Sequence, residues 1–268
     1  MKTLGFIGTG NMGSALAKAA SLTEGNRLLL VNRHPEKAER LSCEIGGSVV
    51  SQADAAAESD FLFLGVKPVM LPALAETLSP QLAARQTRFV LVSMLAGVTI
   101  EKLQAQLQKP HPVIRIMPNT PVSVGEGMVL YCCSKEVTPE EESAFLTAMQ
   151  AAGRFLKLEE RLFDAGMAVS GCGPAYVDLF VEALADAGVA CGLPRKDAVT
   201  LAAQMTLGSA RLVLESGKHP GELKDAVCSP GGTTIQGVRA LERGGFRSAA
   251  MEAVIAAYEK TLALARRK

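Results

Sequence analysis

Residues 3–22, TLGFIGTGNMGSALAKAASL, run an apolar stretch into a glycine-spaced turn and then into an alanine-rich segment. That order constrains the chain more than any other feature. The run TLGFIG reads as a buried strand, and Gly8-Thr9-Gly10-Asn11-Met12-Gly13 supplies a GxGxxG spacing directly before a helix. A lone GxGxxG says little, but one that follows a strand and opens a helix marks a dinucleotide site. The first glycine allows the tight turn, the second lets backbone approach a pyrophosphate, and the third lets helix and strand pack closely. The helix N-terminus then faces the negative charge.

The pattern continues to about Leu158. Apolar runs at 27–32 (RLLLVN), 60–66 (DFLFLGV), 88–95 (RFVLVSML), 113–117 (VIRIM), 127–133 (GMVLYCC) and 154–158 (RFLKL) alternate with helical segments such as 14–22 and 35–46. The strands are apolar on both faces, as parallel strands covered by helices must be. The 35–46 segment opens on Pro35 and closes on Gly46, a helix start and stop. The expectation is an α/β chain: an N-terminal Rossmann-type, doubly wound parallel sheet over 1–160. After Phe163 the strands cease, and 161–268 reads as an all-helical C-terminal domain, with helices over 175–191, 194–216 and 247 to the end.

Composition removes several classes. The 268 residues carry a net charge of +1 and 48% hydrophobic residues, which gives no field for nucleic acid or a membrane surface. Arg266, Arg267 and Lys268 read as the solvated end of a helix. No uninterrupted apolar run is long enough to span a bilayer. The six cysteines lack CxxC spacing, and Cys132 and Cys133 point to opposite faces of a strand. They read as small buried hydrophobes of a cytoplasmic protein. Three scattered histidines argue for no metal site, and Asp178, Glu182 and Asp186 read as a solvated or arginine-paired stripe.

At the end of the second strand an NAD enzyme normally places an acid for the ribose hydroxyls. Here stand Asn32, Arg33 and His34, and Arg33 can grip a 2′-phosphate through its fork of donors. NADPH is therefore the expected cofactor, with NADH an alternative. Lys67, Asn119 and Thr120 follow later strands and are candidates for the cofactor's ribose and nicotinamide, although Lys67 reads equally well as a snorkelling surface lysine.

One loop stands out in the helical half. Ser229-Pro230-Gly231-Gly232-Thr233-Thr234 precedes an apolar-periodic segment, with Thr233 or Ser229 as its cap. Gly231 and Gly232 leave backbone N–H groups unshielded, and the hydroxyls of Ser229, Thr233 and Thr234 are ready to bind a carboxylate.

The segments GFIGTGNMG, GVKP (65–68), RIMPNTP (115–121), SGCGPAYV (170–177), EALADAGVACGLPR (182–195) and HPGELKDAVCSPGGTT (219–234) together resemble pyrroline-5-carboxylate reductase. The resemblance spans essentially the whole chain, and its last block is the most specific. It implies NAD(P)H-dependent reduction of 1-pyrroline-5-carboxylate to L-proline, the final step of proline biosynthesis. It also implies a helical C-terminal domain that interlocks with a partner's in a homodimer, the dimers often assembling into larger rings. By position, Gly10, Asn11 and Met12 would bind pyrophosphate, with Gly8 and Thr9 in the same cofactor-binding turn, and Val66, Lys67 and Pro68 would line the nicotinamide ribose. Ser229, Gly231, Gly232 and Thr233 would hold the substrate carboxylate, with Thr234 near the ring nitrogen; Thr234 and Ser229 are the catalytic candidates. Ala226 and Gln52 stand where some members have asparagine. Two rival readings remain: a β-hydroxyacid dehydrogenase, whose lysine segment is missing at 170–180, and a nonenzymatic NADPH-binding scaffold.

Overall fold

In a computed structural model of the chain, which describes residues 1–266, two compact units are present. The first comprises Met1–Gly171 with Tyr258–Lys268, and the second Cys172–Ala257. Of the basic tail, Arg267 and Lys268 lie outside the described residues.

The first unit is built on eight strands: β1 (Lys2–Ile7), β2 (Asn26–Val31), β3 (Ser48–Val49), β4 (Phe61–Leu64), β5 (Val90–Ser93), β6 (Val113–Met117), β7 (Gly127–Cys133) and β8 (Gly153–Lys157). Their spatial order is β3-β2-β1-β4-β5-β6-β7-β8. The first six run parallel and reverse direction of winding between β1 and β4, the switch point at which such sheets bind ligands. The expectation of a parallel sheet needs one refinement: β7 pairs antiparallel with β6, and β8 follows β7 in parallel. The link from β6 to β7 holds only residues 118–126, too short for the crossover a parallel neighbour requires. The two-residue β3 gave no readable run in the sequence.

Helices α1 (Asn11–Ser21), α2 (Pro35–Ile45), α3 (Gln52–Glu58), α4 (Leu71–Ala83), α5 (Ile100–Gln106) and α6 (Pro139–Ala148) cover the sheet. Two apolar clusters result. In one, Phe6 stacks on Phe63 at 4.3 Å, and Phe61 lies 5.7 Å from Phe145. The other joins Leu62, Leu64 and Leu91 to Leu74 and Leu78 of α4. Strands that feed both clusters alternate Phe and Leu at 61–64, which explains why they read as continuous apolar runs. A short α7 (Phe163–Gly166) follows β8.

The second unit is helical: α8 (Gly173–Ala190), α9 (Arg195–Ser216), α10 (Pro220–Ala226), α11 (Thr233–Arg243) and the first part of α12 (Phe246–Arg266). Gly192, with φ of +97°, ends α8 as the sequence suggested. Within this unit Tyr176 donates to the Ala253 carbonyl at 3.1 Å, and Phe180 meets Phe246 at 5.7 Å. Asp186 of the acidic stripe pairs with Arg195.

Candidate active site

The glycine turn joins β1 to α1 across the switch point. Gly8 holds φ of +100°, and a side chain there would sit 2.6 Å from the Gly65 carbonyl. At Gly13 a Cβ would lie 2.1 Å from the Gly8 carbonyl, so turn and helix can close only around hydrogen. Gly10 differs, because a Cβ there would meet nothing within 4 Å. The middle glycine faces open space at the helix N-terminus, where a pyrophosphate fits. Thr9 is buried, and its Oγ1 accepts from Asn32 Nδ2 at 2.7 Å. Asn32 Oδ1 in turn accepts from the His34 backbone N–H at 3.1 Å. Asn32 thus spends its side chain tying the glycine turn to the β2–α2 connection.

A groove of about 660 Å³ opens at this point. It brings together Gly8, Gly10, Asn32, Arg33, Val66 and Lys67 from the sequence-based set. It also takes in His34, Lys37, Gln52 and Thr77, which that set lacked. Four of its lining residues are basic or imidazole (Arg33, His34, Lys37, Lys67), and no Asp or Glu lines it. Such a lining suits a polyanion. Gln52, the first residue of α3, donates to Thr77 Oγ1 and Gln81 Oε1. Lys67 is exposed, precedes the turn Pro68–Met70 and lines the groove.

Pro68, the next residue, lines a second cavity of about 520 Å³ beyond the ends of β5 and β6, with Ala96, Gly97, Arg115 and Glu160. Arg115 is 3% exposed; its Nη1 donates to Glu160 Oε1 at 2.9 Å while its guanidinium lies 4.7 Å over the Phe163 ring. Glu160 also accepts from the Ile100 N–H at 2.8 Å, holding the start of α5 in place. Asn119 stands apart from the groove. It is buried, its amide donates to the Ser170 carbonyl at 3.0 Å and its oxygen accepts from the Met128 N–H at 2.9 Å. Thr120 is exposed at the start of a 3₁₀ turn, Asn11 is exposed in the first turn of α1, and Met12 packs on the first apolar cluster.

In the helical unit, the Gly232 N–H donates to the Ser229 carbonyl at 3.0 Å, with Pro230 second and Gly231 third at φ of +71°. That is the type II turn pattern. Contrary to the sequence reading, neither Ser229 nor Thr233 caps the helix: Gly232 is the N-cap, no side chain accepts from the first turn, and Thr233 and Thr234 are its first two residues. The turn itself is the reason, because it already closes Ser229 onto Gly232 through backbone. The first-turn N–H groups of α11 are thereby left without a side-chain acceptor, beside the exposed Ser229, Thr233 and Thr234. Nothing acidic stands within the loop 229–234.

Residues 160–264 match the family described as pyrroline-5-carboxylate reductase dimerisation, and residues 3–97 match NADP oxidoreductase, coenzyme F420-dependent. Pyrroline-5-carboxylate reductase of Escherichia coli is 40% identical over 97% of both chains, and that of Glycine max 41% over 97% of this chain and 94% of its own. The crystal structure of the Plasmodium falciparum pyrroline carboxylate reductase with NADP bound superposes with a TM-score of 0.86 at 33% identity, covering 98% of each chain. This chain belongs to the pyrroline-5-carboxylate reductase family. Within that family its groove, loop and helical unit acquire assignable roles.

Proposed function

We infer that this protein reduces 1-pyrroline-5-carboxylate to L-proline with NADPH, accepting NADH less well, as the last step of proline biosynthesis. The observation that carries the reading is the uncapped N-terminus of α11, presenting free N–H groups and three hydroxyls on a chain that also carries a cationic dinucleotide groove. The rival hydroxyacid dehydrogenase needs a lysine after the 170–175 segment, where this chain has Tyr176 to Phe180.

The residues present fit the cofactor. Gly8, Thr9, Gly10, Asn11 and Met12 form the pyrophosphate turn, with open space at Gly10. Arg33 meets the 2′-phosphate, and Val66, Lys67 and Pro68 border the nicotinamide ribose. Asn119, whose side chain is engaged with Ser170 and Met128, acts on the cofactor only by fixing the chain after β6. When bound, NADPH supplies the hydride that adds to C5 of the cyclic imine.

The chain's own contribution is to hold the acid and the ring. A carboxylate at the end of α11 gains about 0.3–1 kcal/mol from the helix field. Hydrogen bonds to the charge from Ser229 and Thr233 and from the Gly231 N–H add about 1.5–3 kcal/mol each, the Gly232 N–H being engaged by the Ser229 carbonyl. Thr234 donates toward the ring nitrogen and orients the C=N carbon. The proton that balances the hydride comes from solvent, since the loop holds no acid or imidazole. Positioning is the principal catalytic effect.

A homodimer completes the assembly, supported by the dimerisation match over 160–264, and dimers associate further into rings. That match also supports a functional division near residue 160. We place the enzyme in the cytoplasm: its six cysteines are unpaired, including Cys43 and Cys191, which are exposed rather than buried as the sequence suggested, and free surface thiols suit a reducing compartment. No helix of the described residues is long and apolar enough to cross a membrane.

The test is an assay of NADPH oxidation with 1-pyrroline-5-carboxylate against a panel of 3-hydroxy acids run in the oxidative direction. Turnover with the imine acid alone is expected; turnover with a hydroxy acid alone would overturn the reading.

A further inference from the structure

Arg33 is not the only cation at the adenosine end of the groove. Lys37 lines the same space, four residues on, in the first turn of α2. Both side chains are exposed, and among the described residues neither has a carboxylate within ion-pair distance. The nearby cations Lys18 and Arg27 are paired, with Glu44 and Glu58. Of the three acids on α2, Glu44 pairs with Lys18, Glu36 leans toward His34 Nδ1 at 3.7 Å, and Glu39 makes no ion pair with Arg33 or Lys37. None of the three lines the groove.

Two unpaired cations on adjoining turns of backbone repel each other, and an unmet pair of this kind is what a dianion recruits. The backbone here is held in place independently of any ligand. Asn32 bridges the Thr9 hydroxyl and the His34 N–H, and the Lys37 N–H donates to the His34 carbonyl at 3.1 Å. Arg33 and Lys37 therefore project from a backbone corner that needs no rearrangement when an anion arrives, and only their side chains have to be ordered.

We propose that Lys37 is a specificity-determining residue that shares the 2′-phosphate with Arg33 and sets much of the preference for NADPH over NADH. The proposal rests on the reductase reading above. NADH has only hydroxyls at that corner and gains nothing from a second cation, whereas a 2′-phosphate carries close to two charges at neutral pH.

The experiment compares initial rates with NADPH and NADH, at saturating imine acid, for the intact enzyme and for Lys37→Ala, Lys37→Arg, Arg33→Ala and the double alanine variant. Lys37→Ala is expected to lower the ratio of the two kcat/KM values about tenfold, the equivalent of one charge-assisted hydrogen bond. The loss should lie in the NADPH KM, with kcat retained, and Lys37→Arg should restore the ratio. Inhibition by adenosine 2′,5′-bisphosphate should weaken in parallel, while inhibition by 5′-AMP should not. If Arg33→Ala lowers the ratio and Lys37→Ala does not, the proposal fails and the reductase reading stands. If both cofactors lose equally in Lys37→Ala, the lysine is structural and the proposal fails as well. If neither cofactor supports turnover of the imine acid by the unmodified enzyme, the reductase reading itself falls.

Discussion

The two units bury their apolar side chains to very different degrees. In the first, Phe6, Phe61, Phe63, Phe145 and the leucines of β1, β2 and β4 are essentially inaccessible. In the second, only Ala185, Ala198 and Ala202 form a fully buried cluster among the described residues. Leu179, Leu201, Leu207, Leu212, Leu214 and Met251 are each between 52% and 67% exposed. A monomeric soluble unit rarely leaves that much apolar surface in water. The Rossmann-type unit is stabilised by its own core, whereas the helical unit leaves much of its apolar surface open; in the homodimer proposed above, a second copy covers it. The match of 160–264 to a dimerisation family agrees with this contrast.

The contrast breaks most visibly on α9. Leu201, Met205 and Leu212 lie on one exposed stripe. Replacing Leu201 and Leu212 together by glutamate removes two apolar anchors. Each is worth about 2 kcal/mol or more at a buried contact, so association should weaken about a thousandfold. Light scattering should then report monomers and turnover should vanish, while NADPH binding to the first unit persists. A double variant that remains dimeric and active would show that the exposed stripe covers nothing.

The mirror experiment is Phe63→Ala. It empties the stacked Phe6–Phe63 contact inside a closed core and should cost about 3–5 kcal/mol. Unlike the α9 variant, its loss should be independent of protein concentration in denaturant titrations and should leave the oligomer intact. A concentration-dependent loss would mean that the first unit also depends on its partner.

These differences explain what could be read in advance. The Rossmann-type half was legible because strands buried on both faces write themselves as apolar runs, and because Gly8 and Gly13 are required by contacts of 2.6 and 2.1 Å. The reversed β7 was not legible from periodicity, which is blind to strand direction; only the short 118–126 link betrays it. The cap of α11 was misread because hydroxyls suggest capping, while the Ser229–Gly232 turn takes that place with backbone alone. Lys37 was overlooked because motif reading stops at the strand end, although its place one turn into α2 points it at the same corner. Asn119 follows a strand end as cofactor ligands do, and only the structure reveals that both ends of its amide are engaged.

A smaller effect separates stability from function within the sparse unit. Thr234 is exposed and contacts no core, so Thr234→Ala should leave the melting temperature within a degree or two and lower kcat/KM for the imine acid. One lost hydrogen bond to the bound ring is worth about 10-fold or somewhat more. Full turnover in Thr234→Ala, measured beside an unchanged melting curve, would remove Thr234 from the site. Ser229→Ala should behave similarly but through KM, because the role proposed for its hydroxyl is on the carboxylate.

The smallest effect tests whether pH acts on the closed core or on the open one. His111 is buried against Phe89 at 5.3 Å, and its Nε2 has no partner. Burial and then the neighbouring Lys109 push its pKa below the ordinary 6.5. In the unfolded chain the imidazole regains that ordinary value, so between the two pKa values the unfolded state holds the extra proton. Stability therefore rises with pH through this window, and is lost as pH falls from about 6.5 toward the lower native value. Glu141 and Glu142, held below the usual carboxylate range by Arg88 and by Lys157 with Tyr131, add a further loss, but only from about 4.5 downward. Melting curves between pH 7.5 and 5 should thus show a modest decline that His111→Gln flattens, leaving the steeper acid loss in place. If His111→Gln keeps the full decline between those values, the titrating group lies elsewhere, and the exposed ion pairs of the helical unit matter more than their solvent screening allows.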